Sequence, residues 1–385
     1  MHFNGEVLEY FNVKTFIRNI FEGKQHSKRV ESIANAALGI VASGSLIINR
    51  IGRGMAEIFN LSDKHAIKQV DRLLSNEKLQ LSEIASHWIL YLLGDRKEIM
   101  VTMDWTDFDH DNQSTLVLNL VTSHGRATPL LWKTIDKNQL KNNRNNYEDD
   151  ILSQLRDCIP DFVKVTILAD RGFCDIKLFS FLSTLKFDYI IRVRGNLLVE
   201  NEDGEIKKAS EWIGQSGKTK TIRNAELTNE KYEVELIACK HAKGMKEPWC
   251  IVSSRGELSG SWVIKWYEKR WGCEPYFRDT KDIIFGMGLS YTTIKNKDRR
   301  DRLLLIHAIA TLILTLLGAA GEKIGLDKYL KSNTSKTRQL SLFRQGCIYF
   351  RRLFRMVKET AIQLIETFCE LVISNKDASV IIGVV

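Results

Sequence analysis

The chain has 385 residues, enough for two or three structural units, and a hydrophobic share of 44% with only 4 prolines, which excludes a disordered or collagen-like polypeptide. Lysine and arginine number 56 against 47 acidic residues, and the net charge of +9 favours an anionic partner, with nucleic acid slightly ahead of a membrane surface and a merely solvated basic face as the plain alternative. The seven cysteines (158, 174, 239, 250, 273, 347 and 369) include no C-x2-C pair, so they argue against a zinc site or a disulfide framework and read as reduced thiols of a cytoplasmic protein.

The first residues, MHFNGEVLEYFNVKTF, lack the basic-then-apolar layout of a signal peptide. Residues 1–95 form a helical N-terminal region and a candidate for DNA binding. Apolar positions recur at three- and four-residue steps in SKRVESIANAALGIVASG and in DKHAIKQVDRLLSN. Ser62 is placed to cap the second of these helices, Lys64, Lys68 and Arg72 line one side of it, and Gly52 and Gly54 read as a turn between helices. Over residues 96–195 the pattern changes to EIMVTMDW, STLVLNLVTS and ATPLLWKTI, three strands of hairpin type, followed by alternating helices and strands ending in DYIIRVRG. This order predicts an α/β fold, a mixed sheet flanked by helices. Residues 196–256 are short, β-rich segments and read as a β-strand insertion; residues 257–320 return to helix; residues 321–385 form a helical, basic C-terminal region suited to DNA contact or dimerisation. Leu303 to Leu317 is apolar but only fifteen residues long and contains His307, which predicts a buried core helix rather than a membrane span.

Chemistry concentrates in WYEKRWGCEPYFRDTK, Trp266 to Lys281. Tyr267, Arg270, Glu274 and Lys281 follow Y-x2-R-x3-E-x6-K, spacings that share one face of a helix. A carboxylate among Arg270, Arg278 and Lys281 suits a place where a metal ion and a polyanion meet. Asp104 and Asp170 close the apolar runs IMVTM and VTILA, so each sits at the tip of a strand. Three carboxylates converging on one point would need divalent metal, and hard oxygen ligands suit Mg²⁺ or Mn²⁺. Each residue also has a plain reading: Asp104 as a turn former, Asp170 as a cap or a partner of Arg171, Glu274 as part of a surface ion network. Pro275, next to Glu274, predicts a break or kink in the helix.

Together, Asp104, Asp170 within ADRGF, the Y-x2-R-x3-E-x6-K set and the run RRDRLLL resemble the DDE transposases of the IS4 family of bacterial insertion sequences, over most of residues 97–350. The resemblance implies an RNase H-like core interrupted by the β-strand insertion, with Asp104, Asp170 and Glu274 as catalytic metal ligands for a pair of Mg²⁺ ions that Mn²⁺ can replace. It further implies that Tyr267, Arg270 and Lys281 contact phosphates, joined by Arg278, and that Trp249 stacks on a flipped base, although Trp249 reads equally well as a strand's core residue. The expected activity is cut-and-paste transposition, by cleavage at terminal inverted repeats and transfer into target DNA. The expected setting is a homodimer on DNA at the bacterial nucleoid. An RNase H-like nuclease without strand transfer, or an inactive DNA-binding regulator, are the alternatives.

Overall fold

The computed structural model describes residues 13–21, 25–214, 217–228, 230–284, 286–374, 378, 381 and 382; residues 1–12, read above for a leader, lie outside them. Helices α1 (Val13–Phe21), α2 (Ser27–Ser43), α3 (Ile48–Phe59), α4 (Asp63–Leu74) and α5 (Leu81–Leu93) precede the sheet. Ser62 caps α4 as its type predicts, its hydroxyl accepting from the His65 amide at 3.4 Å. Gly52 and Gly54 are not a turn. Both lie inside α3, where a Cβ on Gly52 would stand 2.6 Å from Ile67 Cα and one on Gly54 would stand 2.5 Å from the Gly39 carbonyl. The missing side chains let α3 approach α4 and α2 closely, and the true turns lie on either side, with α2 and α3 meeting at 98°.

Strands β1 (Glu98–Phe108), β2 (Gln113–Leu120) and β3 (Thr128–Asp136) form an antiparallel meander, with the β2–β3 register shifting between Leu118 and Asn119. The short helix α6 (Lys137–Leu140) and helix α7 (Arg144–Cys158) lead to β4 (Lys164–Ala169), and α8 (Ile176–Thr184) leads to β5 (Asp188–Arg192). β4 pairs parallel with both β1 and β5, giving the order β3-β2-β1-β4-β5 of an RNase H-like core. The insertion supplies β6 (Leu198–Glu200), β7 (Ile206–Lys208), β8 (Lys220–Leu227), β9 (Tyr232–Lys240) and β10 (Trp249–Ser253). It continues the core sheet instead of standing beside it: β10 pairs antiparallel with β5, and one ten-stranded sheet runs on through β9, β8, β6 and β7.

The alternation along the strands sorts two cores. Ile99, Val101 and Met103 of β1, with Val165, Ile167 and Ala169 of β4, join Ile151, Leu152 and Leu155 of α7 in the main core. Met100 and Leu168, on the other face, pack with Val263, Ile264 and Tyr267 of α9 (Gly260–Glu268). Beyond α9 come α10 (Cys273–Lys281), α11 (Lys297–Lys323), α12 (Leu342–Arg352) and α13 (Lys358–Ile373).

Helix α11 is long and apolar enough to cross a membrane, yet its apolar window is 94% buried in the protein, as the sequence predicts for a core helix. Its first turns bolt three parts together. Arg299 pairs with Asp71 of α4 at 2.7 Å, and Arg302 donates to the Leu74 and Leu79 carbonyls. Asp301 accepts from the amide and the hydroxyl of Thr134 on β3. Arg300 is buried and pairs with Asp111, donates to Gln113 Oε1 at 2.7 Å and lies 4.0 Å from the Phe108 ring centroid.

Farther along α11, His307 is buried with its ring nitrogens 3.5 Å from the Tyr276 hydroxyl and 3.2 Å from that of Thr311, and burial pushes its pKa from 6.5 down to about 3. The unfolded imidazole takes up a proton at higher pH than the folded one. Stability is therefore fully present above pH 6.5 and is lost as pH falls toward 3. His307→Gln should remove about 2 kcal/mol of the loss between pH 6.5 and pH 5, read as a shallower fall of the thermal midpoint than in the unaltered protein.

Candidate active site

The parallel pairing of β1 and β4 ends at Met103 opposite Ala169, so Asp104 and Asp170 occupy the next step of that register. By strand alternation both point to the face that carries α9. Asp104 is not at the end of its strand, because β1 runs on to Phe108 paired with β2; it stands where β4 stops. The two aspartates line one open cleft of about 550 Å³. Burial pushes the Asp104 carboxyl up, with the Asp170 charge adding to the rise and the Arg270 guanidinium opposing it. Asp170 also does the work of a cap, its Oδ1 accepting the Gly172 amide at 2.7 Å, while Arg171 turns away to pair with Glu247 at 3.0 Å.

The signature segment is two helices rather than one. A 3-10 turn, Lys269–Gly272, separates α9 from α10. Pro275 falls in the first turn of α10, where its missing amide hydrogen would have had no intrahelical partner, so it breaks no bond. Tyr267 is buried, only 2% exposed, with its ring edge-on to Trp249 at 5.2 Å, and it shares a hydrogen bond with Arg270. Arg270 lies 3.5 Å from Asp104 Oδ2 and 3.8 Å from Glu274 Oε1, so one guanidinium stands between two of the three carboxylates. Lys281 donates to the Asp107 carbonyl at 2.5 Å and sits 4.6 Å from the Phe108 ring centroid; burial pushes its ammonium pKa down. Arg278 is exposed. Trp249 opens β10 half-buried, and beside it Trp271, 52% exposed, offers the more accessible indole at 6.4 Å between ring centroids.

The structure thus brings Asp104 and Asp170 together and keeps Glu274, with its side chain 56% exposed, on the far side of Arg270. Among the described residues no three His, Cys, Asp or Glu side chains form a group that could hold a metal ion. Two hard carboxylate oxygens sharing a cleft, one of them resisting ionisation, do fit a divalent cation, whose charge would offset their repulsion.

Sequence reasoning did not single out Cys273, Trp105 or Arg144. The Cys273 thiol donates to Asp104 Oδ2 at 3.5 Å, and burial followed by the Asp104 charge pushes it up to about 12. Its position three residues after Arg270 places it on the same helical face, a signal that the spacing contained. Trp105 and Arg144 line the cleft with the aspartates, and only the packing of α7 brings Arg144 there.

A family model described as a transposase DDE domain matches residues 120–313, a span that takes in Asp170 and the whole signature segment and begins after Asp104. No curated protein matches the chain. With half the chain matched and an RNase H-like sheet beneath it, the protein belongs to the DDE-domain transposases, enzymes that cleave and transfer DNA strands.

Proposed function

We propose that the chain is an IS4-type, cut-and-paste transposase acting on the terminal inverted repeats of its own element. The observation that carries this reading is the juxtaposition of Asp104 and Asp170 on adjoining parallel strands, facing the segment that holds Arg270, Glu274 and Lys281. In this reading Asp104 and Asp170 hold the divalent metal, and Glu274 is the third ligand. Bound Mg²⁺ or Mn²⁺, as a pair of ions, supplies a Lewis acid for the phosphodiester and lowers the pKa of the attacking water or 3′-hydroxyl.

The protein's own groups bind and orient. Arg270, held by Tyr267 on one side and Asp104 on the other, is preorganised to meet a phosphate, and its fork suits the two free oxygens. Exposed Arg278 and the half-buried Lys281 extend the same cationic face. Trp249, backed by Tyr267, serves as a stacking surface for a base at the cut end, a contact of about 1 to 3 kcal/mol. Water attacks the phosphodiester at the element's end and the 3′-oxygen leaves. That 3′-hydroxyl then attacks the opposite strand or the target, one P–O bond forming as one breaks, with no covalent link to the enzyme. Lys64, Lys68 and Arg72 are exposed on α4 and suit end recognition by the N-terminal region, while the basic C-terminal helices suit dimerisation, which brings two ends together.

Incubation with DNA carrying the element's ends and Mg²⁺, resolved on a denaturing gel, should show nicks followed by hairpins or double-strand breaks at the ends. Supplying pre-cut ends and a target plasmid should then give joined product. Cleavage without any joined product would overturn the transposition reading in favour of a nuclease; end binding with no cleavage under Mg²⁺ or Mn²⁺ would make the chain a regulator.

A further inference from the structure

The cleft that holds Asp104 and Asp170 is walled on its other side by Trp105, Lys137 and Arg144. The two cations differ in what is left for a ligand. Lys137 is neutralised within the protein, its ammonium 3.1 Å from Asp107 and 2.6 Å from Asp109. Arg144 is held but not used up. Its guanidinium lies 4.9 Å from the centroid of the Trp105 ring, and its Nε faces Glu148 Oε1 at 3.4 Å. The terminal nitrogens of the fork meet no acceptor among the described residues, and the side chain is 54% exposed.

The support beneath Arg144 is built without it. The Trp105 indole N–H donates to Glu148 Oε1 at 2.7 Å, and Glu148 is buried within α7, whose Ile151, Leu152 and Leu155 anchor the helix in the main core. Arg144 stands at the first position of this helix, on the face of the sheet opposite to α9 and Arg270. A guanidinium stacked on an indole, joined to its ion pair through Nε and with its side chain 54% exposed, is arranged for a planar contact to an anion. The nearest anion such a cleft takes is a phosphodiester, given the chemistry proposed for the two aspartates.

We propose that Arg144 binds a phosphate of the DNA strand lying across Asp104 and Asp170, gripping it from the face opposite to Arg270. This rests on the phosphoryl-transfer reading above and adds to it the second side of a clamp. A strand held only from the side of Arg270 is free to tilt across the sheet end; a second grip from the opposite face fixes the direction of the scissile bond relative to the aspartates.

The test uses the full chain, a fluorescein-labelled DNA duplex of mixed sequence, and anisotropy titrations over a range of KCl concentrations. Arg144→Gln should weaken binding about tenfold. It should also lower the magnitude of the slope of log K against log salt by about 0.9, one phosphate contact. Arg144→Lys should keep the slope, since it keeps the charge. An Arg144→Gln protein with the slope and affinity of the unaltered chain overturns the proposal, and so does one whose thermal midpoint falls while its slope stays the same, because Arg144 is then only a structural partner of Glu148. Failure of the unaltered chain itself to bind DNA in a salt-dependent way overturns the DNA reading as a whole, an outcome distinct from both.

Discussion

Asp104→Asn is expected to reduce Mg²⁺-dependent strand cleavage by about 10³-fold or more while leaving binding to the element's end in place. The substitution keeps the shape of the side chain beside Arg270 at 3.5 Å and the Cys273 thiol at 3.5 Å, and removes the charge together with one acceptor oxygen. Burial and the adjacent Asp170 already disfavour the carboxylate in the fold, so a neutral amide should leave the thermal midpoint unchanged or raise it. Loss of activity with unchanged or raised stability separates a catalytic role from a structural one. Full cleavage by the variant would remove Asp104 from the site. The companion Glu274→Gln reports on the third carboxylate, which the structure holds apart from the other two. An equal loss of cleavage would mean that Glu274 joins the aspartates when DNA and metal are bound, moving past the guanidinium that now separates it from Asp104.

Arg300→Ala is expected to destabilise the protein by about 3 to 5 kcal/mol, because it leaves Asp111 buried and unpaired. Arg300 is fully buried and the Asp111 side chain is 6% exposed, so neither finds water as a substitute. The same change removes the donor to Gln113 and uncovers the Phe108 ring, against which Lys281 also packs. Combining Arg300→Met with Asp111→Asn should recover most of the loss, since the uncompensated charge, more than the missing attraction, sets the size of the effect. Urea unfolding midpoints measure both. A cost below about 1 kcal/mol for Arg300→Ala would mean that this pair is not what fastens α11 to the β1–β2 hairpin. Because Asp107 of that hairpin lines the cleft, and Lys281 of α10 packs against the hairpin at Asp107 and Phe108, weakening the pair should also lower cleavage activity, by displacing the cleft wall rather than by removing a reacting group.

Much of this organisation is written in local pattern. The three hairpin strands, the buried strand before Asp170, the core helix around His307 and the cap at Ser62 follow from alternation, run length and the chemistry of a hydroxyl before a helix. Strand β8 gives only a weak signal of its own, because KTIRNAEL carries mostly polar residues and leaves only Ile222, Ala225 and Leu227 buried. Pattern alone ends β1 too early after Asp104, since an aspartate, a residue type that favours turns, occupies its one exposed position at Asp107 before the strand closes at Phe108. Gly52 and Gly54 misled for a related reason: a glycine that permits a turn and a glycine that permits close helix contact are the same letter in the sequence.

What the sequence determined by itself is which residues carry charge, which alternate toward a core, and that Tyr267, Arg270, Glu274 and Lys281 recur at helical spacing. The tertiary structure alone decided that Asp104 and Asp170 are neighbours. Their adjacency is a matter of parallel register between strands more than sixty residues apart, and periodicity reports a buried face without naming its partner. It also decided that the insertion lengthens the core sheet, because β10 pairs antiparallel with the edge of β5. The separation of Glu274 from the aspartates has the same origin. Spacing places it on one face with Arg270, and packing then sets the guanidinium between it and Asp104, where one positive charge balances carboxylates that would otherwise repel.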